Sequence, residues 1–410
     1  MTVPVPVIEV RMLLEETDRY ALHRQGRYLV VAFARPHRVL GTCRVNGGMS
    51  ESLTHVANHQ SCEGVAHLAR YERVLSLGAR DYHVQTCLDA GLPPETTALM
   101  GTAANMQCAV VAHADAEDLR VTVVATAGVT GNAVRAGDTA AWHEEADGSR
   151  PARRGCSAET AGQTGFARPT AGDPPPDDSG SGTIVTLVLI NRPCTPACLV
   201  RAATMVTEAK CTALLDLRMP SLQSSGLATG TGTDQLAIAA PLPREAEWER
   251  HWAGGHNILG ELLGRATHDA VTRCLLLQNG IVPELRRTIC AALGRFGCDE
   301  AALRVCAESE LDAPGAAVFA ANLQAIIHDP HSAAAAYGLA EILDLVRTGV
   351  LHAEVAREAV LNQAALLAAA VAVQPERFVR LRADLAPHQG LPDGRLAALA
   401  VVRGFAYKWD

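Results

Sequence analysis

Residues 183–190 (TIVTLVLI) constrain the fold more than any other part of this chain. They form a β-branched run of strand length, apolar on both faces apart from Thr186. That is the pattern of a central strand covered by other layers on both sides. Just downstream, Thr195-Pro196 reads as a helix cap followed by proline at the first helical position, and predicts a helix to about Asp216. Residues 234–240 predict a further strand, and residues 257–277 a further helix. The expected class is therefore α/β (α+β), a layered sheet with covering helices.

Upstream, residues 27–34 (RYLVVAFA) and 38–45 (RVLGTCRV) predict two strands flanking a turn at Pro36. Residues 50–68 predict a helix capped by Ser50, and residues 120–127 (RVTVVATA) another strand. Residues 144–182 are rich in Gly, Pro, Asp, Ser and Arg and almost free of large apolar groups. Such a segment cannot bury enough surface to offset its ordering entropy, so a mobile insert is expected there. From Ile281 onward Ala, Leu and Arg dominate at helical spacing, with breaks near residues 294–297, 312–315, 329–331, 349 and 387–392. The organisation expected is an α/β domain over residues 1–280 and an all-helical domain over 281–410.

With 410 residues, 48% of them apolar, and a formal net charge of −8, the chain has no global field for a phosphate backbone, so nucleic acid is excluded as the main partner. The most apolar stretch, residues 359–373, is short for a membrane span of roughly 20 residues and carries Asn362 and Gln363. The N-terminal residues lack the basic-then-apolar order of a secretory signal, and a cytoplasmic protein with no membrane partner is expected. The 12 cysteines show no C-x-x-C pair and read as small buried thiols.

Of the 36 basic residues, only Lys210 and Lys408 are lysine. Arginine has taken over generic surface charge, so a retained lysine points to chemistry that arginine cannot supply. Lys210 and Glu208 fall in the 196–216 helix, which is apolar on most sides; a charge there either has a partner in a site or reaches solvent. The segment Thr229-Gly230-Thr231-Gly232-Thr233-Asp234-Gln235 alternates glycine and threonine. Extended, it places three hydroxyls on one face and leaves the other bare for close approach; looped, its amides can form an anion nest. It matches neither a P-loop nor a dinucleotide fingerprint. His256, Gly260, Gly264 and His268 share a stripe of the last helix, and His256 sits at its positive end, which favours a neutral imidazole suited to a general base. Asn46-Gly47-Gly48, Asn58-His59-Gln60 (read within a helix or at its end) and residues 100–105 (MGTAAN) are small polar segments, each a turn or cap when taken singly.

Taken in order, VNGG (45–48), NHQ (58–60), MGTAANM (100–106), ATAGVTGNAVRAGD (125–138), GTIVTLVLIN (182–191), TEAK (207–210), ATGTGTDQLAIA (228–239) and GGHNILGELLGRA (254–266) resemble the adenosylcobinamide amidohydrolase family, the archaeal-type corrinoid-salvage enzymes. The resemblance covers about residues 20–280. It implies hydrolysis of the amide joining a corrin propionate to aminopropanol, with the corrinoid as substrate and no other cofactor. The helical domain and the insert depart from the single-domain pattern. They leave room for a relative recruited to a smaller amide in specialised metabolism, or for a non-catalytic corrinoid-binding protein. A homodimer is the expected assembly.

Amide hydrolysis needs a nucleophile, a base and donors for the tetrahedral oxyanion. Thr229, Thr231 and Thr233 are candidates for nucleophile or substrate-binding hydroxyl, and Asp234 or His256 for base. The amides of Gly47 and Gly48, with Asn46 or Asn105, are candidate oxyanion donors. Lys210 either activates a hydroxyl or holds a carboxylate, and Glu208 grips an amide or amine. Asn58, His59 and Asn132 complete the expected substrate-binding set. A metal-bound water held by His59, Glu208, Asp234 and His256 is the rival mechanism.

Overall fold

The computed structural model describes residues 11–62, 67–140, 142–145, 148–152 and 182–409. The chain divides into two compact units. The first spans residues 11–136, 182–219 and 228–281 of the described chain, and the second holds residues 137–152, 220–227 and 282–409.

The first unit is built on two sheets. In chain order its elements are β1 (Arg11–Glu16), β2 (Tyr20–Gln25), β3 (Tyr28–Phe33), β4 (His37–Gly41), β5 (Gly48–Ser50), β6 (His55–Gln60), α1 (His67–Asp89), β7 (Thr97–Thr102), β8 (Val110–Ala116), β9 (Leu119–Ala127) and β10 (Ala133–Val134). A hairpin of β11 (Trp142–Glu145) and β12 (Gly148–Pro151) belongs to the second unit. The first unit then resumes with β13 (Ile184–Ile190), α2 (Pro196–Asp216), β14 (Gly230–Thr231), β15 (Gln235–Pro241) and α3 (Ile258–Asn279).

One sheet has the order β1-β2-β3-β6-β7 and the other β5-β4-β15-β13-β9-β8. Each is antiparallel except for one parallel pair: β6 with β7, joined through α1, and β13 with β15, joined through α2. Helix-bridged parallel neighbours are what the strand–helix–strand reading of residues 183–240 requires. The central position of β13 follows from its side chains. Val185, Leu187 and Leu189 enter the core between the sheets with Leu22, Val31, Val56 and Met100. Ile184, Val188 and Ile190 enter the core beneath α2 and α3. The period of two sends alternate residues to opposite cores. The layers run α1, first sheet, second sheet, then α2 with α3; Cys87 and Ala90 cover the outer face of the first sheet.

Strands do flank Pro36, but they do not pair: β3 and β4 lie in different sheets, and the chain crosses between them there. The helix expected over residues 50–68 with Ser50 as its cap is corrected: residues 55–60 are strand β6, paired with β3 on one side and β7 on the other, and two partners outweigh local propensity. Most of the 144–182 insert lies outside the described residues; Glu144 and Glu145 and residues 148–151 pair in the hairpin.

The helix starts follow the sequence. The Thr195 hydroxyl accepts from the Cys198 amide ahead of Pro196, a cap worth about 1 kcal/mol. Asn257 caps α3, and Gly280 ends it in the left-handed conformation.

The second unit carries α4 (Ile289–Leu293), α5 (Glu300–Glu310), α6 (Ala313–Ile327), α7 (Pro330–Arg347), α8 (Ala353–Ala372), α9 (Phe378–Leu385) and α10 (Asp393–Ala406). Asp299, Asp312 and Asp329 each cap the helix that follows. The core gathers around α10, with Phe319 edge-on to Phe405. Residues 354–372 are long and apolar enough to cross a membrane by length and composition, yet half of that window is buried, and α8 packs on α7, α9 and α10. Buried Arg295 donates to both carboxylate oxygens of Asp344 and to the Ser225 carbonyl. The 11 described cysteines are free thiols, and burial pushes those of Cys43 and Cys274 up to about 12.

Candidate functional site

The polar cluster forms where β13 and β15 begin. β10 and β14 make a short antiparallel ribbon, Ala133 opposite Thr231 and Val134 opposite Gly230, which fixes the Gly-Thr segment over the end of α2. Four donors converge on the Asp234 carboxylate. These are the Lys210 ammonium (2.5 Å), the Thr231 hydroxyl (2.5 Å), the Thr231 amide (3.0 Å) and the Ile184 amide (3.0 Å). The side chains of Lys210 and Asp234 are only 15% and 18% exposed, so the pair is largely withdrawn from water while keeping one open side.

Gly230 is what makes room for this pair. A Cβ there would lie 2.3 Å from Asp234 Oδ2 and 2.6 Å from Lys210 Nζ, inside any tolerable contact. The alternation of glycine and threonine thus has a definite geometric meaning: one bare position admits the ion pair, and the next residue supplies the hydroxyl. The second glycine, Gly232, is exposed and lies over Asn132.

Beside the triad runs a chain of neutral donors and acceptors. The Thr233 hydroxyl meets that of Thr183 at 2.6 Å and the Gly182 carbonyl at 3.1 Å. The Asn132 amide donates to the Gly182 carbonyl at 2.9 Å and to the Thr233 hydroxyl at 3.3 Å. On the other side, Gln235 exchanges two hydrogen bonds with the backbone of Gly101, giving 3.0 Å to its carbonyl and taking 3.4 Å from its amide. That exchange ties residues 100–102 of the first sheet to the residue next to Asp234. Close by, the Asn58 amide donates to the Thr126 hydroxyl at 2.9 Å between the sheets, and its own carbonyl oxygen is buried with no hydrogen-bond partner.

Lys210, Thr231, Thr233, Asp234 and Asn132 therefore come together, with Asn58 at the margin. The others do not. Thr229 is spent on the ribbon, its hydroxyl accepting from the Ala136 amide. Glu208 is exposed and pairs with Arg201 instead of lying buried. His256 is exposed and precedes α3, whose far end reaches the cluster side through Cys274, Gln278 and Asn279. A helix of 22 residues puts roughly 30 Å between its ends, so His256 lies at the end of α3 away from this cluster. The glycine stripe has a local cause: Gly260 packs on the Gly254 carbonyl, and nothing lies over Gly264.

Asn46, Gly47 and Gly48 sit at the other end of the first sheet from Gly101. The Asn46 amide donates to the Pro94 and Thr97 carbonyls, and a Cβ on Gly47 would strike the Cys43 carbonyl. They shape a turn. Asn105 caps a short 3₁₀ turn by accepting from the Gln107 amide. His59 lies on strand β6, not in a helix; on its outer face it stacks on Tyr28 and meets the Tyr82 hydroxyl. Its neighbour Asn58 points the opposite way, as alternation demands. His59, Glu208, Asp234 and His256 thus occupy separate places and cannot share a metal ion. Among the described residues no group of three or more His, Cys, Asp or Glu side chains could hold one.

Sequence reasoning missed Thr183, Gln235 and the specific demand on Gly230. Thr183 was visible only as the first residue of the apolar run, and Gln235 only as a polar residue opening a strand.

The arrangement can deprotonate a hydroxyl: a threonine whose hydroxyl already donates to a carboxylate, with an ammonium on the same carboxylate. The model of a family described as adenosylcobinamide amidohydrolase matches residues 13–283. An uncharacterized protein of Methanocaldococcus jannaschii is 26% identical over 275 residues, covering 67% of this chain and 92% of the relative.

Proposed function

We propose that this chain, which belongs to the adenosylcobinamide amidohydrolase family, hydrolyses the amide between the corrin propionate and aminopropanol of adenosylcobinamide, releasing adenosylcobyric acid and the amino alcohol. The observation that carries the reading is the Lys210–Asp234–Thr231 triad, seated where Gly230 leaves space. Family membership supplies the amidohydrolase class; the substrate, the residue roles and a cytoplasmic setting are our proposal.

In this mechanism the Thr231 hydroxyl attacks the amide carbonyl and its proton passes to Asp234. The Lys210 ammonium keeps one N–H on Asp234 and turns the others toward the oxyanion as it forms, where charge stabilisation is worth most. The C–N bond then breaks, the amine leaves with the proton from Asp234, and water hydrolyses the acyl-threonine to carboxylate and free threonine. Thr183, Thr233 and Asn132 line the approach with neutral hydrogen-bonding groups suited to an uncharged amide-bearing substrate.

A second reading rests on one feature: the family match ends at residue 283, and the helical unit lies beyond it. The chain then cleaves a different amide with the same triad. The deciding experiment incubates the full chain with adenosylcobinamide and separates the products. Adenosylcobyric acid with an equal amount of aminopropanol, both lost in Asp234→Asn, supports the first reading. Intact substrate removes it.

A further inference from the structure

Strand β1 closes the edge of the first sheet away from β7, and among the described residues no strand pairs with its outer side. All of its residues but Glu15 are exposed, and three of them are consecutive and apolar: Met12 at 50%, Leu13 at 57% and Leu14 at 37%. An edge strand presents unpaired N–H and C=O groups, which proteins commonly guard with lysine, proline or a bulge. Here the centre is leucine and the charges stand at the ends, Arg11 first and Glu15 and Glu16 last. Glu15 is engaged: it accepts from the Tyr20 hydroxyl at 2.6 Å and lies 3.4 Å from His113 of β8. Arg11 meets the His23 ring at 3.0 Å, and among the described residues it has no acidic partner and Glu16 no basic one.

The register against β2 carries one bulge. Arg11, Met12 and Leu13 lie opposite Gln25, Arg24 and His23, and Glu15 and Glu16 opposite Leu22 and Ala21, which leaves Leu14 as an extra residue. Cross-strand partners share a face, so Arg11, Leu13 and Glu16 lie on one face of the sheet, and Met12 and Glu15 on the other. Without the extra residue, strict alternation would send Arg11 and Glu16 to opposite faces. A bulge often ends pairing at an edge. This one instead gives the strand a face that reads positive, apolar, negative, with Leu13 at its midpoint.

We infer that β1 pairs antiparallel with β1 of a second copy of this chain, across a two-fold axis at Leu13. A two-fold contact must be complementary to itself, and a strand that runs positive, apolar, negative about its midpoint is. In this register Leu13 meets its own counterpart on the axis. Arg11 of each copy lies opposite Glu16 of the other, so two opposite-charge pairs flank the leucine contact on one face. The two sheets then run on as one, and the exposed leucines and the free edge are covered together. The surface involves neither Lys210 nor Asp234, so the inference is independent of the amide-hydrolysis reading.

The test is sedimentation velocity on the full chain between about 1 and 100 μM. One strand per copy makes a small contact, so a dimer with a dissociation constant on the order of 10 μM is expected. Arg11→Glu and Glu16→Arg each set like charges opposite one another twice per dimer, and each is expected to weaken association at least about tenfold. The combined variant restores opposite charges and is expected to return to within about threefold of wild type. It carries both substitutions, so its recovery separates a lost contact from a damaged fold. Leu13→Lys brings two ammonium groups together on the axis and is expected to leave monomer at about 100 μM. Wild-type monomer at about 100 μM overturns the proposal. So does a dimer that neither single reversal weakens, or one that the combined variant fails to restore.

Discussion

Replacing Gly230 with alanine tests the triad without altering any charge in it. The residue sits in the short strand β14, with no left-handed backbone to strain, so the added methyl acts only through what it touches. It would lie 2.3 Å from Asp234 Oδ2 and 2.6 Å from Lys210 Nζ, and both groups must withdraw by about 1 Å to reach ordinary contact. Both are ends of side chains, so the fold survives; overpacking of this kind costs about 1–3 kcal/mol. The reaction is far less forgiving, because misplacing a catalytic group by about 1 Å costs on the order of 10²-fold in rate. Product release from adenosylcobinamide and urea unfolding, measured side by side, should show at least a hundredfold loss of turnover with a modest fall in midpoint. Gly264→Ala is the control. Nothing lies within 4 Å of that site inside α3, so stability should rise by about 0.5–1 kcal/mol with turnover unchanged. Turnover within threefold of wild type in Gly230→Ala would show that the ion pair takes no part in the reaction.

Other outcomes follow from the same structure. Lys210→Arg should lose most turnover, because a planar guanidinium cannot occupy the narrow space beside Gly230; an unchanged rate means charge alone suffices. Arg295→Met takes the two-pronged partner from the Asp344 carboxylate and leaves it only Arg347, so it should destabilise the chain by about 1–3 kcal/mol in urea, whereas no measurable loss contradicts the burial argument. His37 is buried, and burial holds its imidazole down at about 4; it stacks on Phe33 and meets the Arg35 carbonyl. The unfolded chain takes up that proton near pH 6.5 and the folded chain does not, so stability is full above 6.5 and falls as pH drops toward 4. From pH 7.5 to 5 the loss is about 2 kcal/mol, to be read from urea midpoints, and His37→Gln should flatten the slope.

What could be read from the sequence depended on range. The cap at Thr195, proline at 196, the helix end at Asp216, the helix start at Asn257 and the two-faced strand at 184–190 are local statements, and local chemistry decides them. The reading of residues 50–68 went wrong because the strand there exists only by virtue of β3 and β7, which nothing nearby in sequence announces. The site divides the same way. Lysine rarity and the glycine–threonine alternation pointed to Lys210, Thr229, Thr231, Thr233 and Asp234 alike before any fold was known, and all of them but Thr229 meet in one cluster. His256 and Glu208 lie apart from Asp234, because their positions relative to it depend on the run of whole helices across a sheet. Gln235 and Thr183 went unassigned because their partners lie 134 and 50 residues away.

The position of β13 bears on how the chain is made. Its antiparallel neighbour β9 is complete by residue 127, but its parallel neighbour β15 ends only at residue 241. At translation rates of about 5–20 residues per second, some 50 residues separate the emergence of this greasy segment from that of the second strand meant to flank it, an interval of several seconds. During it, IVTLVLI offers a sticky, uncharged edge to any other nascent polypeptide. Yield in a host should therefore depend on chaperone supply and temperature more steeply than the finished molecule's resistance to heat would suggest.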